Sequence, residues 1–283
     1  MFFRLRSLQR FSLNCKLCIA RFSMAFSRRI FRDQLSIVLR NRRNLLFAAA
    51  SLVGVSFDSH STLDEEYMRI KRECKHCDPF FPPEPDEGWE LFWCNAKLAV
   101  YRRRLVANGG NCVYEYRCIG TYDDISPNDF VTVQEDITCR LQWDKNVNSL
   151  DVLDIDYNTG TQVIRWESKY PYPLWPRLYI FARRQFVDRQ GKQIVVLNRS
   201  LNKDKYPDPS QTTVRVDCYE STLIVRAHGK LDETGLDFVL SYHDDTKSPI
   251  PQKIYQYGVN VIGPSFLEEV HRAALTFAGA KKR

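Results

Sequence analysis

The segment IPQKIYQYGVNVIGPSFLEEVHRAALTF, residues 250–277, decides the fold because the pattern of the chain changes there from strands to helix. Its apolar residues recur at intervals of three and four, as on one face of an α-helix. They are Ile254, Tyr257 and Val261, followed by Phe266, Leu267, Val270, Ala274 and Phe277. Glycine and proline at 263–264 lie between the two runs and predict a bend or a break in the helix.

Strand-like segments occupy most of the chain between Trp89 and Asp244. Apolar and polar residues alternate in them, and turns with Gly, Asn or Asp separate them. The segments are WELFWCN, KLAVYRRR, CVYEYRCIGTY, LDVLDIDY, TQVIRWESKY, RLYIFARRQFVD, QIVVLNRSL, TTVRVDCYESTLIVRAH and LDFVLSYHD. Consecutive strands joined by short turns predict an antiparallel sheet. With the terminal helix laid across it, this sheet gives an α+β fold that can enclose a cavity.

One helix is predicted within the series of strands. Ser126 followed by Pro127 and acidic residues is a helix start, and FVTVQEDITCRLQWDKNV (130–147) continues with helical periodicity. Arg140 and Asp144 lie four residues apart in this helix. Such a pair usually lies on a solvated face. However, the acid-first order is the more stabilising one on a surface, and this pair is basic-first, so a buried position stays open.

The first 57 residues differ in charge from the rest of the chain. They contain ten Arg, one Lys and one Asp, a net charge of +10, whereas residues 58–283 carry a net charge of −3. Arginines that recur among Phe, Leu and Ser indicate a mitochondrial transit peptide, which we assign to residues 1–44. Its partners would be the mitochondrial import and processing machinery. The mildly acidic remainder argues against nucleic-acid binding, which requires a basic folded surface.

Residues 45–57 form the uncharged run LLFAAASLVGVSF. A membrane-spanning helix needs about 17–25 apolar residues, so this run is short. Either it sorts the protein to the inner membrane, or it is removed with the leader. Residues 58–87 are predicted as a connector with a polar helix over 61–78 and a Pro-rich linker, and we place the folded domain at 88–279.

Neither a metal site nor a catalytic site is predicted. The CxxC pairs at 15–18 and 74–77 are too far apart for a zinc finger, and the first lies in the leader. The acidic pairs at 123–124 and 244–245 are assigned to turns, where Asp is common. The histidines of the predicted domain have no partner at ligand or triad spacing. We therefore expect no cofactor, no bound metal and no enzymatic activity.

Four stretches together resemble a known family. They are RLQWDKNV (140–147), VIRWESKYPYPLWPRLYIFARR (163–184), VRVDCYESTLIV (214–225) and IPQKIYQYGVNVIGPSFLEEVHRAAL (250–275). Their order and spacing resemble the START (StAR-related lipid-transfer) domain family, and with the Arg-rich leader the chain is most similar to its mitochondrial, phosphatidylcholine-transferring branch. The resemblance implies a helix-grip fold, in which a long C-terminal helix closes a curved antiparallel sheet over a tunnel for one lipid.

The resemblance also implies a head-group site. In the phosphatidylcholine-binding branch, the Arg and Asp of an R-x-x-W-D motif meet the head group, and in this chain they are Arg140 and Asp144. Three aromatic residues of that branch surround the choline. The residues at the matching positions are Trp166, Tyr179 and Tyr219. The family's R-D pair reads Arg177-Leu178 in this chain, so the acid expected beside Tyr179 is missing.

Strand alternation tests whether these aromatic residues face inward. Trp166 shares its face with apolar residues and is predicted to point inward. Tyr179 shares its face with Phe181, which is compatible with an inward position. Tyr219 lies four residues after Arg215, so regular alternation would place it on the same, exposed face as that charged residue. An inward Tyr219 therefore requires a bulge or a twist nearby.

The expected function is non-enzymatic transfer of phosphatidylcholine to or within mitochondria by a monomer that works at membrane surfaces. The alternative is a membrane-tethered, lipid-sensing scaffold that binds lipid but does not transfer it. An enzyme is the third class, because related helix-grip folds include cyclases and hydrolases, but the tunnel candidates include no activated nucleophile. The expected location is the intermembrane-space or inner-membrane side of the mitochondrion, and a cytoplasmic pool stays open.

Overall fold

The computed structural model describes residues 59–76, 78–83, 87–106, 112–170, 172–207, 212–245 and 263–281. The predicted leader, the apolar run at 45–57 and the first part of the predicted terminal helix, 250–262, lie outside these residues. Within the described ranges, no helix is long and apolar enough to cross a membrane.

The described part of the chain contains four helices and ten strands. The helices are α1 (Ser59–His76), α2 (Pro127–Glu135), α3 (Ile137–Trp143) and α4 (Gly263–Lys281). The strands are β1 (Trp89–Cys94), β2 (Leu98–Val106), β3 (Cys112–Tyr122), β4 (Val147–Asp156), β5 (Thr161–Ser168), β6 (Arg177–Asp188), β7 (Gln193–Ser200), β8 (Val214–Arg215), β9 (Cys218–Ala227) and β10 (Leu236–Asp245).

The strands form one curved sheet in the order β1-β2-β3-β10-β9-β7-β6-β5-β4. Every neighbouring pair along this path is antiparallel, which confirms the predicted α+β fold with its antiparallel sheet. The short strand β8 lies off the path and pairs in parallel with β6. The sheet stays open, and β1 and β4 are its two edges.

Helix α4 covers one face of the sheet, which we call the inner face. Its buried residues are Leu267, Val270 and Ala274, and they pack with Phe130 of α2 and Phe238 of β10. The spacing of three and four residues places these side chains on one side of the helix, so burial of that side fixes α4 on the sheet. The second apolar run of the predicted terminal helix is therefore confirmed, with its start at the Gly-Pro step.

Helix α1 packs on the opposite face of the sheet, which we call the outer face. Leu63 and Ile70 are buried there against residues of β6, β7 and β9. The contacted sheet residues are Ala182, Val195, Leu197 and Ile224. Three ion pairs flank this contact: Lys71–Asp188 at 2.7 Å, Arg184–Asp64 at 2.8 Å, and Arg199 with Glu66. The predicted polar helix at 61–78 is thus present, and its few apolar residues bind it to the sheet.

The helix predicted across 130–147 is divided into two. Asp136 ends α2, because its backbone is extended (φ −68°, ψ 118°), although its N–H still donates to the carbonyl of Thr132. The same residue begins α3, because its carboxylate accepts from the N–H of Cys139. A side chain that bonds the following backbone competes with helix continuation, so the chain changes direction at Asp136. The prediction of one continuous helix was wrong at this residue, whereas Ser126 caps α2 as expected.

The contact between α1 and the outer face gives a first prediction. Leu63 is 1 % exposed, so Leu63→Ala should lower the free energy of unfolding by about 2–5 kcal/mol through lost burial and a cavity. Met68→Ala, in the same helix at 54 % exposure, is the matched control and should change it by less than about 0.5 kcal/mol. Urea denaturation followed by tryptophan fluorescence measures both. Equal effects of the two substitutions would contradict the packing of α1.

Candidate functional site

Three aromatic side chains from three strands meet on the inner face, and we call them the aromatic triad: Trp166, Tyr179 and Tyr219. The rings of Trp166 and Tyr179 stack with centroids 4.7 Å apart, because the two residues are direct partners in the β5–β6 register. The ring of Tyr219 meets that of Tyr179 edge-on at 5.3 Å and that of Trp166 at 6.3 Å. The structure therefore brings together all three aromatic residues selected from the sequence.

Tyr219 reaches the inner face because the segment predicted as one strand at 212–228 is interrupted. Strand β8 ends at Arg215 and β9 begins at Cys218, so the alternation of β8 does not continue into β9. Tyr219 is consequently buried with Tyr179 and Phe181 despite the parity it shares with Arg215. The irregularity required by the sequence pattern is present, as a break between two strands.

Arg140 and Asp144 form an ion pair at the end of α3 that is largely shielded from water. The Nε atom of Arg140 lies 2.7 Å from Oδ2 of Asp144, and the two side chains are only 15 % and 2 % exposed. Asp144 also ends the helix, because its backbone is extended (φ −81°, ψ 98°). Its N–H still donates to the carbonyl of Arg140, and its Oδ1 accepts from the N–H of Asn146. The sequence left open whether this pair lies in water, and the structure answers that it does not.

The guanidinium of Arg140 is directed toward aromatic rings. It lies 5.0 Å from the ring centroid of Trp143, 5.1 Å from that of Phe266 and 5.9 Å from that of Trp166. The last distance connects Arg140 with the aromatic triad. A planar guanidinium with several N–H donors and a cluster of aromatic faces therefore lie side by side at one end of the inner face.

Two residues of this site were not selected from the sequence. The hydroxyl of Tyr179 donates to Oδ2 of Asp244 at 2.8 Å, and the hydroxyl of Tyr242 donates to the same oxygen at 3.0 Å. Asp244 is not at a turn, as the sequence suggested, but in β10, where it is the register partner of Tyr219. The signal in the sequence was the alternation in β10, since Phe238, Tyr242 and Asp244 share one face.

The family's acid is missing after Arg177, but the hydroxyl of Tyr179 still has an acidic partner, Asp244. Leu178 is fully buried, and the acid that holds the hydroxyl of Tyr179 comes from β10 instead. Arg177 is buried too, with its guanidinium 4.4 Å from the ring centroid of Tyr170 and its Nη1 donating to the carbonyl of Trp175 at 2.5 Å. Its Nε and Nη2 atoms have no hydrogen-bond partner among the described residues.

A second buried arginine lies near the site. Arg183 projects from the same face of β6 as Tyr179 and Phe181. Its Nη2 donates to Oε1 of Gln162 at 2.9 Å. Burial lowers the pKa of Arg183, and the nearby carboxylate of Glu135 opposes this effect. Burial likewise raises the pKa of Glu135. The inner face thus contains several charges that are largely withdrawn from water.

The hydroxyls of the site stay protonated at physiological pH. Burial raises the pKa of Tyr219 to about 12 and that of Tyr179 well above its ordinary value. Burial also raises the pKa of Asp244, and the two tyrosine hydroxyls that donate to its carboxylate oppose this effect. Among the described residues, no group of three or more His, Cys, Asp or Glu side chains is arranged to hold a metal ion.

The chain is similar in sequence to known proteins. The family model described as START domain matches residues 84–281. The mouse protein named StAR-related lipid transfer protein 7, mitochondrial, is 32% identical over 256 residues, which are 82% of this chain and 67% of that protein. The bovine phosphatidylcholine transfer protein is 28% identical over 192 residues, 67% of this chain and 85% of that protein.

A solved structure shows the same fold. The crystal structure of human STARD10 superposes with a TM-score of 0.62 at 20% sequence identity, and covers 77% of this chain and 82% of that chain. A curved antiparallel sheet with a C-terminal helix is therefore common to both proteins.

The raised pKa of Asp244 gives a prediction for stability against pH. A carboxyl whose pKa is higher in the folded than in the unfolded chain contributes stability below its unfolded pKa, and this contribution is lost as pH rises through the folded pKa. Asp244→Asn is uncharged at every pH. It should therefore raise the melting temperature at pH 7, by about 2–4 °C for each kcal/mol gained, and should give no such gain near pH 3.5.

Thermal melts of the two proteins at both pH values measure this difference. Asp232→Asn, at an exposed position, is the control and should show the same melting temperature as the wild type at both. A gain for Asp244→Asn that grows as the pH is lowered would contradict a raised pKa at Asp244.

Proposed function

This chain belongs to the START domain family, and from that membership we propose that it is a non-enzymatic lipid transfer protein that carries phosphatidylcholine to or within mitochondria. It holds one lipid at a time in an internal tunnel, with the head group at Arg140, Asp144 and the aromatic triad. The names of the relatives support this proposal, since they describe a lipid transfer protein and a phosphatidylcholine transfer protein.

The observation that carries the proposal is the juxtaposition of the Arg140 guanidinium with the aromatic triad. Choline is a quaternary ammonium that has no N–H to donate, so aromatic faces are its natural partners, at roughly 0.5–2 kcal/mol each. A phosphate accepts paired hydrogen bonds from a guanidinium. Because the guanidinium of Arg140 lies 5.9 Å from the ring centroid of Trp166, one head group can reach both kinds of partner.

Charge balance favours a zwitterionic head group at this position. Arg140 is already neutralised by Asp144 within the protein, so the pair tolerates burial. A ligand with a net negative charge would bring an uncompensated charge into a place with little water. Phosphatidylcholine has no net charge, and it offers a phosphate to the guanidinium and a cation to the aromatic rings.

The side chains of the site are consistent with binding of a lipid that is not chemically changed. The tyrosine hydroxyls have raised pKa values and are poor nucleophiles. Among the described residues, the ring contacts and hydrogen bonds of the aromatic triad involve no histidine, so a histidine-activated nucleophile of the common kind has no base in contact with it. We therefore assign the site to lipid recognition.

The proposal predicts that head-group contacts control transfer. Arg140→Ala should slow the transfer of labelled phosphatidylcholine between vesicles about tenfold or more, because a charge-assisted hydrogen bond to the phosphate is lost. Trp166→Ala should slow it about three- to tenfold, because one face of the cation site is lost. The matched control is Arg72→Ala on the exposed side of α1, which should transfer at the wild-type rate. Equal transfer of phosphatidylserine by the wild type would contradict recognition of choline.

The mitochondrial part of the proposal rests on the arginine-rich composition of residues 1–44 and on the relative whose name includes the word mitochondrial. The alternative of a tethered, lipid-sensing scaffold depends on the uncharged run at 45–57. If this run is retained in the mature protein, it can keep the domain at one membrane. If it is removed, the domain is free to move between membranes.

N-terminal sequencing of the protein recovered from isolated mitochondria separates these alternatives. A transfer protein is expected to begin after Phe57 and to be released by washing with carbonate. A start before Leu45, together with resistance to carbonate, would favour the tethered scaffold. Replacement of Arg28 and Arg29 by Gln should reduce import, which tests the leader itself.

A further inference from the structure

We propose that Asp244 supplies the negative charge of the site that binds the ligand's quaternary ammonium. Its carboxylate faces the ammonium, and the aromatic triad forms the other sides of the site. This inference rests on the proposed function, because it assigns a role within the same head-group site. It adds a charged, specificity-determining residue to a site that was selected from the sequence for its aromatic residues and for the Arg140–Asp144 pair.

The position of Asp244 within the site is fixed by two neighbouring strands. In β10 it is paired with Tyr219 of β9, so both side chains project from the same face of the sheet. Its Oδ2 accepts from the hydroxyl of Tyr179 at 2.8 Å. Asp244 therefore contacts one member of the aromatic triad and is the cross-strand neighbour of another.

The carboxylate of Asp244 has no cationic partner among the described residues. No Lys, Arg or His nitrogen of these residues lies within 4.0 Å of it, whereas Asp144 is joined to Arg140 at 2.7 Å. The contacts of Asp244 are two hydroxyl donors, from Tyr179 and Tyr242. Of the two aspartates at the site, Asp144 is paired with a cation and Asp244 has none within the part of the chain that the structure describes.

A purely structural role does not account for a carboxylate at this position. Two tyrosine hydroxyls can be held by a neutral amide oxygen, whereas a carboxylate near buried aromatic rings is disfavoured until a positive charge joins it. Burial raises the pKa of Asp244, as expected for such a group. Among the described residues, the acid stands where a neutral side chain would be favoured, which supports a cation that arrives with the ligand.

Asp244 also disfavours the wrong ligands. A head group without a cation, such as that of phosphatidylglycerol, leaves the carboxylate unmatched and adds a second negative charge near it. Its binding is therefore weakened in addition to lacking cation–π contacts. Asp244 thus contributes to the choice between choline and uncharged or anionic head groups.

The test compares capture of two lipids by the same protein sample. Purified full-length protein is incubated with vesicles that contain equal amounts of phosphatidylcholine and phosphatidylglycerol, and the captured lipid is identified by mass spectrometry. Asp244→Asn keeps an oxygen that can accept from both hydroxyls and removes the charge. We expect it to lower the ratio of captured phosphatidylcholine to phosphatidylglycerol by tenfold or more. Asp244→Glu should retain part of the preference.

The neighbouring carboxylate provides the matched control. Asp245→Asn makes the same change in net charge, but strand alternation places Asp245 on the other face of the sheet, so the ratio should equal that of the wild type. Because both lipids compete for one sample, the ratio does not depend on how much of a variant is folded. An unchanged ratio for Asp244→Asn, in a wild type that prefers phosphatidylcholine, overturns the role of Asp244 and leaves the proposed function standing. A wild type that captures no phosphatidylcholine overturns both.

Discussion

A charge that is withdrawn from water must be met by an opposite charge or by hydrogen bonds, and this constraint orders the inner face of the sheet. Arg140 is met by Asp144, which also ends α3 and so sets where the helix stops. Arg183 is met by Gln162. Asp244 is met by the hydroxyls of two tyrosines. The end of the sheet that holds these groups is therefore a region of polar and aromatic side chains within an otherwise apolar core.

The packing of the inner face separates stability from recognition. Helices α2 and α4 pack with β3 and β10 in an apolar cluster that includes Phe130, Phe238 and Val270. The aromatic triad belongs to a second cluster, with Phe181 and Val216. Several polar atoms near the second cluster have no partner among the described residues, including Nε1 of Trp166 and Oε1 of Glu135. Others lie in β1 to β3, at Trp89, Arg103 and Arg117, so unsatisfied atoms are not confined to the neighbourhood of the aromatic triad.

Much of this architecture can be predicted from the sequence, because strand alternation and helical periodicity are local properties. The antiparallel sheet, the second run of the terminal helix and the Ser126 cap follow from such patterns. The division of the helix at Asp136 was not predicted, because a single Asp can either continue a helix or cap the next one. The role of Asp244 was missed because its partner Tyr179 lies 65 residues away, and only the register of β9 and β10 brings them together.

The attachment of α1 to the outer face has a consequence for any shortening of the chain from its N-terminal side. The family model matches from residue 84, yet the apolar patch formed by Ala182, Val195, Leu197 and Ile224 is covered by a helix that precedes that point. A protease that trims the chain to the family boundary would expose this patch and create a surface prone to self-association. Helix α1 therefore covers this patch, and only a chain that retains α1 keeps the patch buried.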